Sequence, residues 1–566
     1  MKNKLSLLFP DKELDFKKIS DITFHDIGMD AIVKKLSRKE NEQTYIYNVM
    51  KLMSDDARNA GYRSDVFNDI LENKKMRDDI TELFDRINFL RDYGSFKHDR
   101  DHEPGIWDLL HRLDELKDYV ECIEALNNCL SGVELLSDGM QRLRDYVTKL
   151  YSDNALEDLK KDISMLRAST SNLKSVTVGI NLNERFEAAG IGLISVNDRA
   201  FTKSSIVSNF VDRISKSDNI HKGTDWNGEY RFNEFSVRQT PMTTNDVVIP
   251  ALSPIAMMSV RYVPEGDDSV RGVTSYMDQI TNRMLSQTVR HLRDILNRYT
   301  ILTITDITDL MPEFIYYIRW AEYIEGLIAR GFRLCKPVAL DAPMPDGKSM
   351  SAKGIYNLKL LEEKSVMPSD IVVNDLSFSE EQNLYVLTGA NRGGKTTITQ
   401  TVGQLFFMAQ AGIYVTGESF EYVPVDLIFT HFPADEDKTL DLGRLGEECK
   451  RFRQIYSDAS KNSLILLNET FSTTSFEEGY YIAKDCIKAV LKKGARTIYN
   501  THMHKLAADI DEINSDSSEA KAASLIVVSD AGKRSYEVRV APPVGMSYAG
   551  DIAEKYGVTY ELLTKQ

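Results

Sequence analysis

The segment Gly389-Ala390-Asn391-Arg392-Gly393-Gly394-Lys395-Thr396 has the spacing G-x-x-x-x-G-K-[ST], the pattern of a loop that wraps phosphate. Glycines at Gly389, Gly393 and Gly394 let the backbone approach an anion with its N–H groups turned inward. In such a loop Lys395 reaches the β and γ phosphates of a nucleoside triphosphate, and the Thr396 hydroxyl holds Mg²⁺. The apolar run Leu384–Thr388 precedes the loop and reads as a buried strand. A helical stretch from Thr397 to about Gln410 follows, and its N-terminal dipole favours an anion.

A second run, Ser463-Leu464-Ile465-Leu466-Leu467, ends in Asn468-Glu469. Nucleotide hydrolases place two polar residues at such a strand end, one for the Mg²⁺ shell and one to polarise the attacking water. Glu469 suits the second role. Asn468 stands in the first, where an amide accepts a hydrogen bond from a metal-bound water but brings no charge. A third run, Arg496 to Asn500, ends in Thr501-His502. His502 is placed to contact the γ phosphate or orient the water, whereas His504 reads as a surface-loop histidine.

These residues need a scaffold. From about Ile355 onward, short apolar runs (LYVLT, GIYV, DLIFT, SLILLN, RTIYN) alternate with helical stretches, which predicts an α/β domain with a largely parallel sheet. The first 170 residues read as helices. One stripe runs through Ile106, Leu109, Leu113, Leu116, Val120 and Ile123 at helical spacing. Two further stripes are Leu285, Val289, Leu292, Leu296 and Tyr299, then Phe314, Tyr317, Ala321, Ile324 and Ile328 after Pro312. They predict a pair of long antiparallel helices. Between these blocks, SVTVGINL and GIGLISV suggest a small β-rich insertion. The expected organisation is multidomain: a mainly α-helical block over 1–175, a small β-rich insertion over 176–262, further long helices over 263–354, and an α/β domain carrying the phosphate loop over 355–566.

Composition bounds the partners. A chain of 566 residues with 42% hydrophobic and 27% charged residues is an ordinary globular chain of roughly three or four domains. Sparse Gly and Pro exclude disordered and collagen-like classes. A net charge of −15 argues against binding nucleic acid through bulk positive charge. Five scattered cysteines without a CxxC point to reduced thiols and a cytoplasmic protein. No apolar run approaches a membrane span. The apolar patch before Pro10 is too short for a signal peptide.

With these motifs together, the C-terminal part resembles the ATPase domain of the MutS family of DNA mismatch repair proteins, within the ABC-type ATPases. Asn374-Asp375-Leu376 is similar to the family's N-D-L. The run Thr388 to Thr397 resembles T-G-P-N-M-G-G-K-S-T, with Asn391 kept. Ala411 to Val415 is similar to G-x-Y-V-P. The run Asn468 to Gly479 resembles D-E-I-G-R-G-T-S-x-x-D-G, and Thr501-His502 the family's T-H. Ser547-Tyr548, Ala553 and Gly557-Val558 resemble S-Y-G…A…G-[IV]. Upstream, Tyr62 to Asp69 looks like the start of the family's helical core, residues 277–333 resemble its lever, and 176–262 falls where it carries a DNA clamp.

The resemblance implies ATP and Mg²⁺ as cofactors, with Gly389, Asn391, Gly393, Gly394, Lys395, Thr396, Thr397, Asn374 and Ser475 at the nucleotide, Thr396 and Asn468 at the metal, and Glu469 and His502 catalytic. It also implies a homodimer through the ATPase domain and a DNA partner. There are departures. No room is left ahead of the helical core for a mismatch-reading or connector domain. Phe186-Glu187 is not the family's Phe-x-Glu wedge, and no nuclease domain is expected after the ATPase. The signature segment Gly443-Arg444-Leu445-Gly446-Glu447-Glu448 lacks the family's serine, leaving Arg444 for phosphate contact. The expected function is ATP hydrolysis coupled to clamp and lever movement on DNA of particular structure rather than on mismatches. The alternative is an ATP-driven switch for a protein or structured RNA, and a third reading is a slow ATPase.

Overall fold

The computed structural model describes residues 5–10, 15–94, 106–170, 175–182, 184, 188–197, 294, 310–363, 365–390, 393–433, 443–515, 520–530, 533–543 and 557–564. Asn391, the stripe Leu285–Tyr299, Phe186-Glu187, the insertion beyond Asn197, Ser547-Tyr548 and Ala553 lie outside them. Two compact units divide the chain. One holds Met1–Thr81, Leu130–Asp145 and Asp306–Gln566; the other holds Glu82–Cys129 and Tyr146–Thr305.

The described elements begin with β1 (Lys17–Lys18), α1 (Asp21–Asp26), α2 (Met29–Leu36), α3 (Glu40–Met50), β2 (Leu52–Met53), α4 (Ala57–Glu72) and α5 (Lys74–Gly94). Next come α6 (Ile106–Ser131), α7 (Asp138–Tyr151), α8 (Asn154–Thr170), β3 (Ser175–Leu182), β4 (Ala188–Asn197) and α9 (Met311–Ala329). Then follow β5 (Leu334–Cys335), β6 (Val338–Ala339), β7 (Lys348–Ile355), β8 (Asn374–Ser379), β9 (Gln382–Thr388), α10 (Lys395–Gln410), β10 (Val415–Thr416), β11 (Ser419–Tyr422), β12 (Ile428–His431) and α11 (Gly443–Asp458). The last are β13 (Leu464–Asn468), α12 (Phe476–Lys493), β14 (Arg496–Asn500), α13 (His504–Ala508), α14 (Ile510–Ser515), β15 (Lys521–Asp530), β16 (Lys533–Val540) and α15 (Tyr560–Leu563).

In the first unit a six-stranded sheet runs in the order β12-β13-β14-β9-β15-β16. The first five strands are parallel and β16 closes the edge antiparallel. All residues of β13 and β14 are buried, which is why these strands read as unbroken apolar runs rather than alternating ones. A smaller sheet, β6-β11-β7-β8, belongs to the same unit.

The N-terminal helices of this unit pack on α10, the helix behind the phosphate loop. Gln400 and Gln404 donate to the carbonyls of Asp26 and Ile27 at 2.7 and 2.8 Å. Gln410 donates to Ser54 and Val425 carbonyls at 2.9 and 2.8 Å. At Gly403 an added Cβ would lie 2.7 Å from Ile27 and 2.8 Å from Leu466, so this glycine lets α10 fit between α1 and the sheet. A fully buried Arg63 on α4 donates to Leu8 and Gln410 carbonyls at 2.8 and 3.3 Å.

Two sequence expectations change. On α9, Phe314, Tyr317, Ala321 and Ile324 are buried, but Ile328 is 45% exposed. The chain reverses at Gly331 (φ +89°), and the Phe332 N–H donates to the Leu327 carbonyl at 3.2 Å. Phe332 therefore covers the helix end in place of Ile328. The run GIYV is not a strand of the large sheet. Gly412 (φ +84°) and Ile413 end α10 by donating back to Ala409 and Met408, and only Val415–Thr416 is extended, paired antiparallel with β5. Burial of Ile413 and Val415 imitates a strand pattern in sequence.

In the second unit, Leu113, Leu116, Val120 and Ile123 of α6 are buried, as are Leu156, Leu159, Ile163 and Leu166 of α8. Lys160 pairs with Glu124 at 2.6 Å. β3 and β4 form an antiparallel hairpin. Among the described residues, no helix is long and apolar enough to cross a membrane.

Candidate active site

Three parallel strands of the large sheet, β9, β14 and β13, deliver their C-terminal ends to one place. β9 runs into Gly389 (φ +144°), where an added Cβ would sit 2.9 Å from Val527. Gly394 (φ +92°) begins α10 without a side-chain cap, so the first N–H groups of the helix remain available to an anion. Lys395 Nζ donates to the Gly389 and Ala390 carbonyls at 2.9 and 3.2 Å. Its ammonium is thus folded over the loop, and burial lowers its pKa.

The Thr396 hydroxyl donates to Asn468 Oδ1 at 3.1 Å. Next to Asn468, Glu469 takes a left-handed backbone (φ +53°), held by donation of its N–H to the Asn500 carbonyl at 2.8 Å. This conformation is costly for a residue with a side chain. The Glu469 carboxylate meets His502 Nε2 at 2.6 Å. That hydrogen bond, with added attraction from Lys395, holds the Glu469 carboxyl below the usual carboxylate range despite partial burial.

A cavity of about 810 Å³ opens over these groups. Lys395, Thr396, Thr397, Glu469, His502 and Asn374 line it. The Asn374 amide is occupied by the backbone of β16, accepting from Val538 N at 2.7 Å and donating to the Tyr536 carbonyl at 3.2 Å. It shapes the wall by fixing Tyr536, which also lines the cavity and adopts φ +60°. Arg444, in the first turn of α11, and Ser475, the N-cap of α12, are not among the lining residues.

Sequence reasoning passed over Tyr356, Asn357 and Tyr536 at the cavity and Asn500 beneath it. The first three reach the cavity only through tertiary packing. Asn500 ends a strand parallel to β13 and stands in register with Asn468, a pairing that no spacing in the sequence shows.

The family model for MutS domain V matches residues 385–563. Over that stretch the chain is similar to the MutS family. An endonuclease MutS2 of Thermus thermophilus is 27% identical over 196 residues, covering 35% of this chain and 26% of that protein. A DNA mismatch repair protein MutS of Chlorobium chlorochromatii is 31% identical over 195 residues, covering 32% of this chain and 22% of that protein. An endonuclease MutS2 of Finegoldia magna is 27% identical over 311 residues, covering 52% and 37%. The matched stretch therefore spans between about a fifth and two fifths of these MutS relatives' lengths. The phosphate loop, Asn468-Glu469 and Thr501-His502 all lie within the MutS domain V match.

Proposed function

We propose that this chain is an ATP-hydrolysing, DNA-binding protein of the MutS type, in which turnover at the phosphate loop drives movement of clamp and lever helices. The observation that carries this reading is the convergence of Lys395, Thr396 and the Glu469–His502 pair on one cavity within the MutS domain V match, with Asn468 bonded to Thr396. Domain V is the ATPase domain of the family.

The residues fit a magnesium nucleotide. Thr396 and Asn468 would hold the cation: the Thr396 proton goes to Asn468 Oδ1, which leaves a lone pair of the hydroxyl for it. Bound Mg²⁺ supplies charge neutralisation of phosphate oxygens. Lys395 and the open N–H groups of α10 bind phosphate. Glu469, kept ionised, accepts a proton from water, and His502 fixes the direction of its carboxylate. Changing Lys395→Ala is expected to weaken nucleotide affinity about 10–100-fold, the worth of a charge-assisted contact, measured by fluorescent nucleotide titration.

The pH dependence follows from the lowered Glu469 carboxyl. A depressed carboxyl keeps its charge above the ordinary carboxylate range and loses it only as pH falls through the lowered value. Removing the hydrogen bond raises that value again. His502→Ala should therefore shift the acid limb of the turnover profile to higher pH, and an unmoved limb would count against the pair.

Arg444 and Ser475, outside the cavity lining of their own subunit, are read as contacts for the nucleotide of a second copy in a homodimer. The net charge of −15 favours a second reading, an ATP-driven switch for a protein or structured RNA. The test is ATP turnover with and without duplex, branched and mismatched DNA and structured RNA, together with DNA affinity against salt. A steep loss of affinity with rising salt is expected. Absence of DNA binding at low salt would select the second reading.

A further inference from the structure

We propose that Asn500 is a positioning residue that holds the Asn468 amide with its oxygen toward Thr396, so that a neutral side chain serves the divalent-cation site; this rests on the nucleotide reading above. Strands β13 and β14 end together, with Asn468 and Asn500 in register. Asn500 Nδ2 donates to Asn468 Oδ1. The Thr396 hydroxyl donates to the same oxygen at 3.1 Å, and Asn500 Nδ2 also donates to the Thr396 hydroxyl at 3.5 Å. One oxygen thus accepts from two donors.

The chemistry of an amide makes the second donor matter. A carboxylate accepts at both ends, whereas a carboxamide accepts at one and donates at the other. If the Asn468 amide were reversed, its NH₂ would meet the Asn500 NH₂, and the Thr396 hydroxyl would lose the acceptor for its proton. Held as it is, Asn468 takes the Thr396 proton, and beside the long contact from Asn500 one lone pair of the hydroxyl is left for the cation. Asn500 is fully buried, and its own Oδ1 has no hydrogen-bond partner. An unpaired buried oxygen costs stability, so a residue kept only for packing would not be an asparagine. Here its NH₂ is committed to Asn468 and Thr396 while its oxygen has no partner.

The experiment titrates Mg²⁺ against the full chain with a fluorescent ATP analogue, with a parallel nucleotide titration in EDTA. Asn500→Ala is expected to raise the Mg²⁺ concentration at half response about tenfold and to leave affinity in EDTA within about twofold. On an Asn468→Asp background, where either end of the side chain accepts, the same change is expected to shift it less than about twofold. Asn500→Ser, whose hydroxyl is too short to reach Asn468, serves if the alanine variant does not fold, with the same expected shift. An unchanged Mg²⁺ requirement, an equal shift on both backgrounds, or a parallel fall of affinity in EDTA would overturn the proposal. If the unmodified chain bound no nucleotide with or without Mg²⁺, the nucleotide reading itself would fall, and this one with it.

Discussion

Replacing Glu469 by glutamine is expected to lower ATP turnover by about 10²–10⁴-fold, the range for loss of a positioned general base, while nucleotide binding persists. Glutamine keeps the length of the side chain and an oxygen for His502, which meets the carboxylate at 2.6 Å. It removes the negative charge and the proton acceptor. Phosphate is held elsewhere, by Lys395 and the start of α10, so affinity has no reason to follow turnover. Single-turnover hydrolysis beside a binding titration separates the two. Turnover within about twofold of the unmodified chain would remove Glu469 from the base role.

Replacing Arg63 by alanine is expected to destabilise the first unit by about 3–5 kcal/mol, the cost of removing one partner from a buried charged cluster. Arg63 is fully buried. It donates to Leu8 and Gln410 carbonyls, and its guanidinium lies 5.1 Å from the Phe9 ring and 5.2 Å from the Phe16 ring. Glu313 on α9 is attracted to it, and burial raises the Glu313 pKa even so. Glu313 in turn accepts from the N–H groups of Leu7 and Leu8 and from the Ser6 hydroxyl. Without Arg63 two carbonyls lose their donors, Glu313 loses its nearby positive charge, and Phe9 and Phe16 lose their cation. Lysine offers neither the planar fork nor the reach to both carbonyls, so Arg63→Lys should recover little. Denaturant unfolding measures both variants, and a loss below about 1 kcal/mol for Arg63→Ala would mean that the cluster relaxes around the gap.

Much of the site was legible because its parts are local. Strands β9, β13 and β14 are buried on both faces, so their apolar runs stood out. Each ends where the polar residues begin, which sets Asn468, Glu469 and His502 at strand ends and Lys395 and Thr396 at the helix start that follows β9 and its loop. Local capping misled at two points. Gly412 and Ile413 end a helix with buried apolar residues and were read as strand. Ile328 kept the helical spacing of α9 but yielded its place to Phe332, beyond the turn.

The sequence by itself determined the phosphate loop, the strand ends and the family resemblance, because these depend on residue type at short spacing. Tertiary structure alone decided three things. It brought Tyr536 from an edge strand to the cavity wall. It joined the N-terminal helices to α10 through Gln400, Gln404, Gln410 and Arg63. It set Asn500 against Asn468, which lie far apart in sequence and meet because two parallel strands are in register. Hydrogen bonds of this kind are fixed by which backbone a fold places beside which, and no local pattern encodes that choice.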